Sequence, residues 1–307
     1  MSTNDEMHAL NEEFGLSGAV RFDHGQGGLP RALVAAGSAA AEIYLQGAHV
    51  TLWQPADAAH PGLFMSPNSH FAPGKAIRGG VPIVFPWFGD RADGQPGPAH
   101  GFVRTLPWRV VATERLPQAI ALTFGLEADA TASSFGYHDF SLRYRVVVGA
   151  SLQLSLTVHN TGSQPLPLQD ALHTYFAVGD IRQVTVTGLV GTEYFDKADG
   201  MQRKRQQAEA IHFTGETDQL HLSTQSAITI HDPAWQRRMV IEKQGSSSTI
   251  VWNPWLARAT SLTDLGPESF PSMVCVEPAN ASENSVQVPA GATHTLGATV
   301  GIQPLAD

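Results

Sequence analysis

Four short segments of this 307-residue chain place ionisable side chains beside glycines and aromatics. They are Lys75-Ala-Ile-Arg78-Gly-Gly-Val-Pro-Ile-Val-Phe-Pro-Trp-Phe-Gly89, His100-Gly-Phe-Val-Arg104, Ala171-Leu-His173-Thr-Tyr-Phe176 and Val274-Cys-Val-Glu277-Pro-Ala-Asn280. Each reads as a short strand or strand edge carrying one or two polar groups. None has the spacing of a metal site, a nucleotide loop or a helical motif. Together they offer two histidines, two arginines, a lysine and a glutamate. That set suits acid–base chemistry on a polar, anionic small molecule.

Taken singly, each segment has a plainer reading beside the chemical one. Gly79-Gly80 beside Arg78 lets the backbone bend and approach a ligand closely, or simply turn between strands. Arg78, wedged between Ile77 and two glycines, has little reason to sit there for stability alone. In His100-Gly-Phe-Val-Arg104, extended geometry puts His100, Phe102 and Arg104 on one face. The arginine fork matches a phosphate or vicinal hydroxyls, and the alternative is a surface ion pair with a satisfied histidine. His173, among Leu168, Ala171, Leu172, Tyr175 and Phe176, reads either as a histidine bonded to backbone or as a proton donor near neutral pH. Glu277 closes an apolar run, where it either turns to solvent or serves as a general base in a cleft. Cys275 shares its face at period two and reads as a small core residue. Asp218 falls in a polar loop, Gly215-Glu-Thr-Asp218-Gln-Leu, where a turn-forming role is the plain reading.

The elements that must carry these residues are strands. Hydrophobic residues make up 42% of the chain and charged residues 15%, which excludes a disordered chain. Gly (29) and Pro (20) are spread along the sequence, as turn formers between short apolar runs. Strand-like runs occupy 32–36, 41–45, 49–53, 108–113, 119–126, 141–148 and 151–158, and continue at 184–188, 227–230, 239–242, 249–252, 272–276 and 293–300. The clearest is a hairpin in which Leu142, Tyr144, Val146 and Val148 face one way, as do Leu152, Leu154, Leu156 and Val158 after a Gly149-Ala150 turn. Residues 201–210 are the one weakly helical stretch, or a loop. Residues 1–14 read as a polar extension, frayed or a single helical turn, and 15–307 as one domain, since no repeat or low-complexity linker divides them. The expected fold is all-β: one large antiparallel β-sandwich, with more strands than an immunoglobulin-sized one holds.

The net charge of −9 opposes a nucleic-acid partner, and it equally requires that any phosphate be captured by a local cluster of Arg and Lys. A single cysteine, Cys275, rules out an internal disulfide. The acidic opening Met1-Ser-Thr-Asn-Asp-Glu is unlike a secretory signal, and no apolar run reaches the roughly 18 residues of a membrane span. The expectation is a cytoplasmic, monomeric protein with no membrane or nucleic-acid partner and a small-molecule ligand.

With these segments assembled, the chain resembles the aldose 1-epimerase (galactose mutarotase-like) superfamily, and within it the glucose-6-phosphate 1-epimerase branch. The carrying residues are Ala76 through Gly89, His100-Gly-Phe-Val-Arg104, Asp170-Ala-Leu-His173-Thr-Tyr-Phe176, Gly215-Glu-Thr-Asp218, Val251-Trp-Asn-Pro-Trp255 and Met273-Val-Cys-Val-Glu277-Pro, in the family's order. The resemblance implies a β-supersandwich and interconversion of sugar anomers without metal or redox cofactor. It implies His173 as the group that protonates the ring oxygen and Glu277 as the base that takes the anomeric hydroxyl proton. Asp218 and His100 would bind the sugar, and Arg78 and Arg104 would meet the substrate and, in this branch, its phosphate. Lys75 is a further basic candidate beside Arg78. The chain departs from the pattern at Gln219, where an arginine usually follows Thr-Asp, and at Trp87, where a glutamine is usual. Trp87 either stacks on a sugar or packs in the core. The same residues leave three other readings to weigh: an epimerase of unphosphorylated aldoses, a non-catalytic sugar-phosphate binder, and a hydrolase built on Asp218 and Glu277. The presence of both His173 and Glu277 disfavours the binder, which needs neither acid nor base.

Overall fold

Period-two burial organises the chain. Along Phe140–Val148 and Ser151–Asn160, buried and half-buried residues alternate almost without exception, and Leu142, Tyr144, Val146, Leu152, Leu156 and Val158 are fully buried. The hairpin pairs Val148 with Leu152 around the Gly149-Ala150 turn, as the alternation demands. The structure is a computed structural model and describes residues 3–305.

This hairpin lies within a nine-stranded antiparallel sheet. Its order is Ala210–His212, Thr185–Thr187, Ile228–Asp232, Arg237–Gln244, Thr293–Pro304, Ser151–Asn160, Phe140–Val148, Ala119–Glu127 and Arg109–Leu116. Facing it is an eight-stranded sheet with the order Gln202–Arg205, Glu193–Asp196, Thr217–Leu222, Ser248–Asn253, Met273–Asn280, Asp170–Leu172 and Ile83–Val84, and Tyr175–Ala177 also pairs with Met273–Asn280. A four-stranded sheet (Val20–His24, Pro30–Ala35, Ala39–Tyr44, His49–Pro55) and a two-stranded one (Leu166–Leu168, Val286–Val288) complete the sheets among the described residues. The main core fills the space between the two large sheets. Leu154, Leu156 and Val146 meet Val251, Val274, Val276 and Phe176 there. Each such buried side chain stabilises the fold by roughly 1.5–3 kcal/mol before ordering costs. Among the described residues no helix is long and apolar enough to cross a membrane.

Three local expectations change. The N-terminal segment forms a helix, Thr3–Phe14, rather than a frayed extension; Met1 and Ser2 lie outside the described residues. Its anchor is polar. The Asn11 amide donates to the Phe22 carbonyl (2.7 Å) and accepts from the Phe22 amide (2.9 Å), pairing with the edge strand as a further backbone would, while Met7 is buried. The basic stretch after Met201 is the strand Gln202–Arg205, whose Arg203 and Lys204 pair with Glu193 and Asp196 on the neighbouring strand. Cross-strand ion pairs decide this against its helical composition. Asp218 lies on the strand Thr217–Leu222, not in a loop.

The strand Met273–Asn280 is central to the eight-stranded sheet and buried along its whole length. On one side it pairs continuously with Ser248–Asn253. On the other, Asp170–Leu172 pairs with Asn280 and Ala279, and Tyr175–Ala177 with Cys275 through Met273. The stretch Val276, Glu277 and Pro278 between them has no ladder partner on that side. Pro278 has no N–H to give, so unbroken pairing on both sides cannot be made there. The interruption is where His173 and Thr174 leave the sheet.

Candidate active site

The outer face of the eight-stranded sheet, turned away from the main core, carries the site. Strand register sets its rows. Asp218 lies opposite Trp252, Trp252 opposite Cys275, and Cys275 opposite Tyr175; in the next row Leu220, Ile250 and Glu277 are aligned. His173 follows two residues before Tyr175, at the break. Its amide donates to the Pro82 carbonyl (3.0 Å), and its ring stacks on Tyr175 at 4.9 Å with the planes 7° apart. Trp252 meets both rings edge-on at 6.0 Å. His173 Nδ1 and Glu277 Oε1 are thereby brought to 3.3 Å, an ion-pair distance without the alignment of a hydrogen bond. Both side chains are buried.

Loops supply the remaining wall. Arg78 is held by Asp264, with Nε at 3.0 Å and Nη2 at 2.9 Å, and by the Tyr175 hydroxyl, which accepts from Nη1 at 3.0 Å. The two glycines after it serve the fold rather than a ligand. Both have positive φ, and a Cβ would lie 2.6 Å from the Phe64 carbonyl oxygen at Gly79 and 2.2 Å from that of Val50 at Gly80. Buried His49 meets the Gly79 carbonyl at 2.7 Å and holds this turn.

The His100–Arg104 segment is not extended. His100 and Gly101 both have positive φ (65° and 76°), and Val103–Thr105 is a 3-10 turn. This geometry sends Phe102 into the core against Trp87 and leaves His100 and Arg104 on the cavity. Gly101 is the strict requirement, because a Cβ there would lie 1.8 Å from the Phe85 carbonyl oxygen. Gly101→Ala is expected to lower stability by roughly 2–4 kcal/mol, from the left-handed backbone and the overlap together. Urea titration checks this; a loss under 1 kcal/mol would mean that the loop can refold around the methyl.

The resulting cavity has a volume of about 210 Å³ and gathers Arg78, His100, Arg104, His173, Asp218 and Glu277, with Phe88, Ile250 and Trp252 as apolar walls. Lys75 is not among its lining. It is exposed, and its carbonyl accepts from the Gln46 side chain at 2.6 Å. Two other cations take part, Lys197 and Arg258. Lys197 follows the strand Glu193–Asp196, lies 3.3 Å from Asp218 and sits 5.4 Å from the centre of the Phe88 ring. Arg258 comes from the helix Trp255–Ser261. Neither stands in a recognisable motif; their places follow from strand pairing and a helix after Pro254. Gln219, one residue from Asp218, faces the other side of its strand and bonds His221 at 3.1 Å, so the arginine usual at that position would not point into this cavity. Trp87 packs in the core, its ring N–H donating to the Pro98 carbonyl at 3.0 Å.

Cations outnumber carboxylates in the lining: Arg78, Arg104, Lys197 and Arg258 against Asp218 and Glu277. Arg78 has Asp264 and Lys197 has Asp218. Among the described residues Arg104 has no carboxylate partner; one N–H reaches the Ala99 carbonyl at 2.7 Å, and its Nε is shut from solvent without a partner. Burial and the charge of Arg78 lower its pKa to about 10, which leaves it charged at neutral pH.

These charges act on the titratable pair. Burial, then His100, Arg104 and Arg78, hold His173 well below the ordinary imidazole range. Burial and Asp218 push Glu277 well above the carboxylate range. The pair is therefore biased toward a neutral imidazole and a protonated acid rather than toward the mutually supporting ion pair that opposite charges alone suggest: desolvation acts on both groups and the surrounding cations on His173, while Lys197 and Arg104 oppose the shift of Glu277. His100 is also held neutral, by burial and by Arg104. Its Nδ1 accepts from the Gly89 amide at 3.3 Å, which assigns its proton to Nε2.

Comparison with known proteins agrees with this architecture. Residues 32–300 match the aldose 1-epimerase family. A protein of Escherichia coli (strain K12) named "Putative glucose-6-phosphate 1-epimerase" is 37% identical over 243 residues, covering 79% of this chain and 80% of that protein. One of the same name from Cenchrus ciliaris is 36% identical over 251 residues, covering 78% and 74%. The solved structure of "a putative mutarotase (YeaD) from Salmonella typhimurium" superposes with a TM-score of 0.88 at 30% identity, over 98% of this chain and 99% of that one. The chain belongs to the aldose 1-epimerase family, and it is an epimerase that interconverts sugar anomers.

Proposed function

We propose that the substrate is a hexose 6-phosphate, glucose 6-phosphate first, and that His173 and Glu277 open and reclose its ring. The observation that carries the phosphate is Arg104. A guanidinium with no carboxylate partner among the described residues, in a cavity of net positive charge on a chain of net charge −9, suits an anion. The names of the relatives point the same way.

Ring opening transfers one proton from O1 to a base and one to O5 from an acid. The C1–O5 bond breaks, O1 becomes the aldehyde oxygen, and O5 becomes a hydroxyl. After rotation about C1–C2, O5 attacks the other face and both protons return. O1 and O5 hang on the same carbon, so acid and base must be neighbours, and a 3.3 Å separation of His173 and Glu277 meets that demand. The cyclic sugar calls for imidazolium and carboxylate; after opening, the pair is neutral imidazole and protonated acid. Burial biases the pair toward that second state. A phosphate dianion at Arg104 and Arg78 offsets the charges that depress His173 and moves the pair toward the first. Asp218 and the Nε2–H of His100 then hold sugar hydroxyls, and Trp252 and Phe88 exclude water; their lining of the cavity supports this reading.

The pair works with one proton between its two members. His173 is depressed, so a second proton binds only well below pH 6.5. Glu277 is raised, so the last one leaves only well above pH 4.5. Once the second ionisation of the substrate phosphate, at about pH 6, is accounted for, the enzyme's acid limb in kcat/KM is expected below the ordinary imidazole range. An enzyme limb centred near the ordinary histidine value would contradict the shifted pair. The substrate reading is tested by NMR exchange between anomers at equilibrium, for glucose 6-phosphate and glucose. Acceleration confined to the phosphate supports it. Equal acceleration of both makes the protein a general aldose epimerase, and binding without acceleration makes it a sugar-phosphate binder.

A further inference from the structure

Cys275 has no part in that chemistry, yet it completes a second arrangement. One ligand atom each from His173, Cys275 and Glu277 lie within 4.8 Å of one another, and all three side chains are buried. His173 Nδ1 and Glu277 Oε2 have no hydrogen-bond partner. Strand period explains the thiol: Cys275 and Glu277 are two residues apart on one face of Met273–Asn280, beside the break that presents His173.

We propose that these three atoms bind a thiophilic divalent cation, Zn²⁺ foremost, and that the bound metal reversibly inhibits the enzyme. An imidazole nitrogen, a thiolate and a carboxylate oxygen are a zinc donor set, at distances of about 2.0–2.3 Å, with water the usual fourth ligand of a three-residue site; His173 and Glu277 line the cavity, and Cys275 lies beneath them. Ligand atoms of such a tetrahedron stand roughly 3–4 Å apart by that geometry, so small side-chain movements close the present spacing. The thiolate selects against Mg²⁺ and Ca²⁺, which take oxygen ligands.

The surrounding arginines raise the obvious objection, and charge balance answers it. A dication bound by one thiolate and one carboxylate forms a set of net charge zero, so Arg78 and Arg104 face no added positive charge. Occupancy removes the lone pair of His173 and the carboxylate of Glu277 from acid–base use. The inhibitory half rests on the roles given to those residues above; the binding half does not.

The experiment is titration of chelator-treated protein with Co²⁺, followed by displacement with Zn²⁺. The expected result is a thiolate-to-cobalt charge-transfer absorption that Zn²⁺ abolishes and that folded Cys275→Ala, checked by circular dichroism, does not show. In parallel, Zn²⁺ should slow anomer exchange and excess chelator should restore it. The ratio of rates with and without Zn²⁺, taken for each protein separately, should require at least about tenfold more metal to fall in Cys275→Ala. No absorption in the folded wild type, or one unchanged in Cys275→Ala, overturns the site. Absorption with an unaffected exchange rate overturns the inhibition. A protein with no epimerase activity toward a sugar phosphate would still report binding through the absorption, so the two readings fail separately.

Discussion

Glu277→Gln is expected to reduce protein-dependent anomer exchange of glucose 6-phosphate by about 10²–10⁴-fold, the range of a lost general acid–base group. The substitution is nearly isosteric, and burial already disfavours the charged form of Glu277, so the buried amide replaces a group biased toward similar polarity. Stability should change little and sugar-phosphate binding should survive. His173→Ala should cause a comparable loss. Its backbone bond to Pro82 is kept and no side-chain bond at Nδ1 is lost, although the stack on Tyr175 is. Exchange NMR under saturating substrate separates the rate loss from affinity. Near-wild-type rates in both variants would mean that the pair is not the acid and base. The double variant is informative too: two groups serving one proton circuit should be far from additive, and the double should be little slower than either single.

Arg104→Ala is expected to weaken glucose 6-phosphate about 10–100-fold, from roughly 1.5–3 kcal/mol for a hydrogen bond to a charged group. Glucose itself should be nearly unaffected. Arg104 is a cleaner probe than Arg78. Removing Arg78 strands Asp264 and the Tyr175 hydroxyl, whereas Arg104 has no carboxylate to strand among the described residues. The loss should shrink at high salt if charge carries it. Arg104 also helps depress His173 and His100, so the acid limb of the pH profile should move upward in the variant. Equal weakening of both sugars would remove the phosphate role and return Arg104 to holding its own loop.

The residues that line the cavity were legible where they stand in short local patterns. His173 and Glu277 are polar groups set into apolar strand runs, and such groups are costly to bury without a partner or a task. Arg78, His100 and Arg104 stand beside glycines, and the glycines did mark special backbone. Of the two readings of Gly79-Gly80 the turn holds: both glycines, and Gly101 with them, make room for neighbouring carbonyl oxygens. Asp218 was legible through resemblance alone, since a lone aspartate among Gly, Glu and Thr looks like a turn until strand pairing sets it opposite Trp252. Residues 1–14 and 201–210 misled for the same reason in opposite directions. Composition measures local preference, and one Asn11 side chain or two cross-strand ion pairs outweigh it.

The sequence by itself determined the strand alternation, hence an all-β sandwich with one apolar face per strand, and the kinds of acid, base and cation available. Those depend on residue type and on a period of two, which are local. The tertiary structure alone decided which of them meet. Arg78 and Asp264, or Lys197 and Asp218, come together through register between strands and loops far apart in the chain, and no local pattern carries that information. It also set the direction in which the titrations of His173 and Glu277 shift. That balance of desolvation against surrounding charge exists only once burial and the positions of Arg78, Arg104 and Asp218 are set.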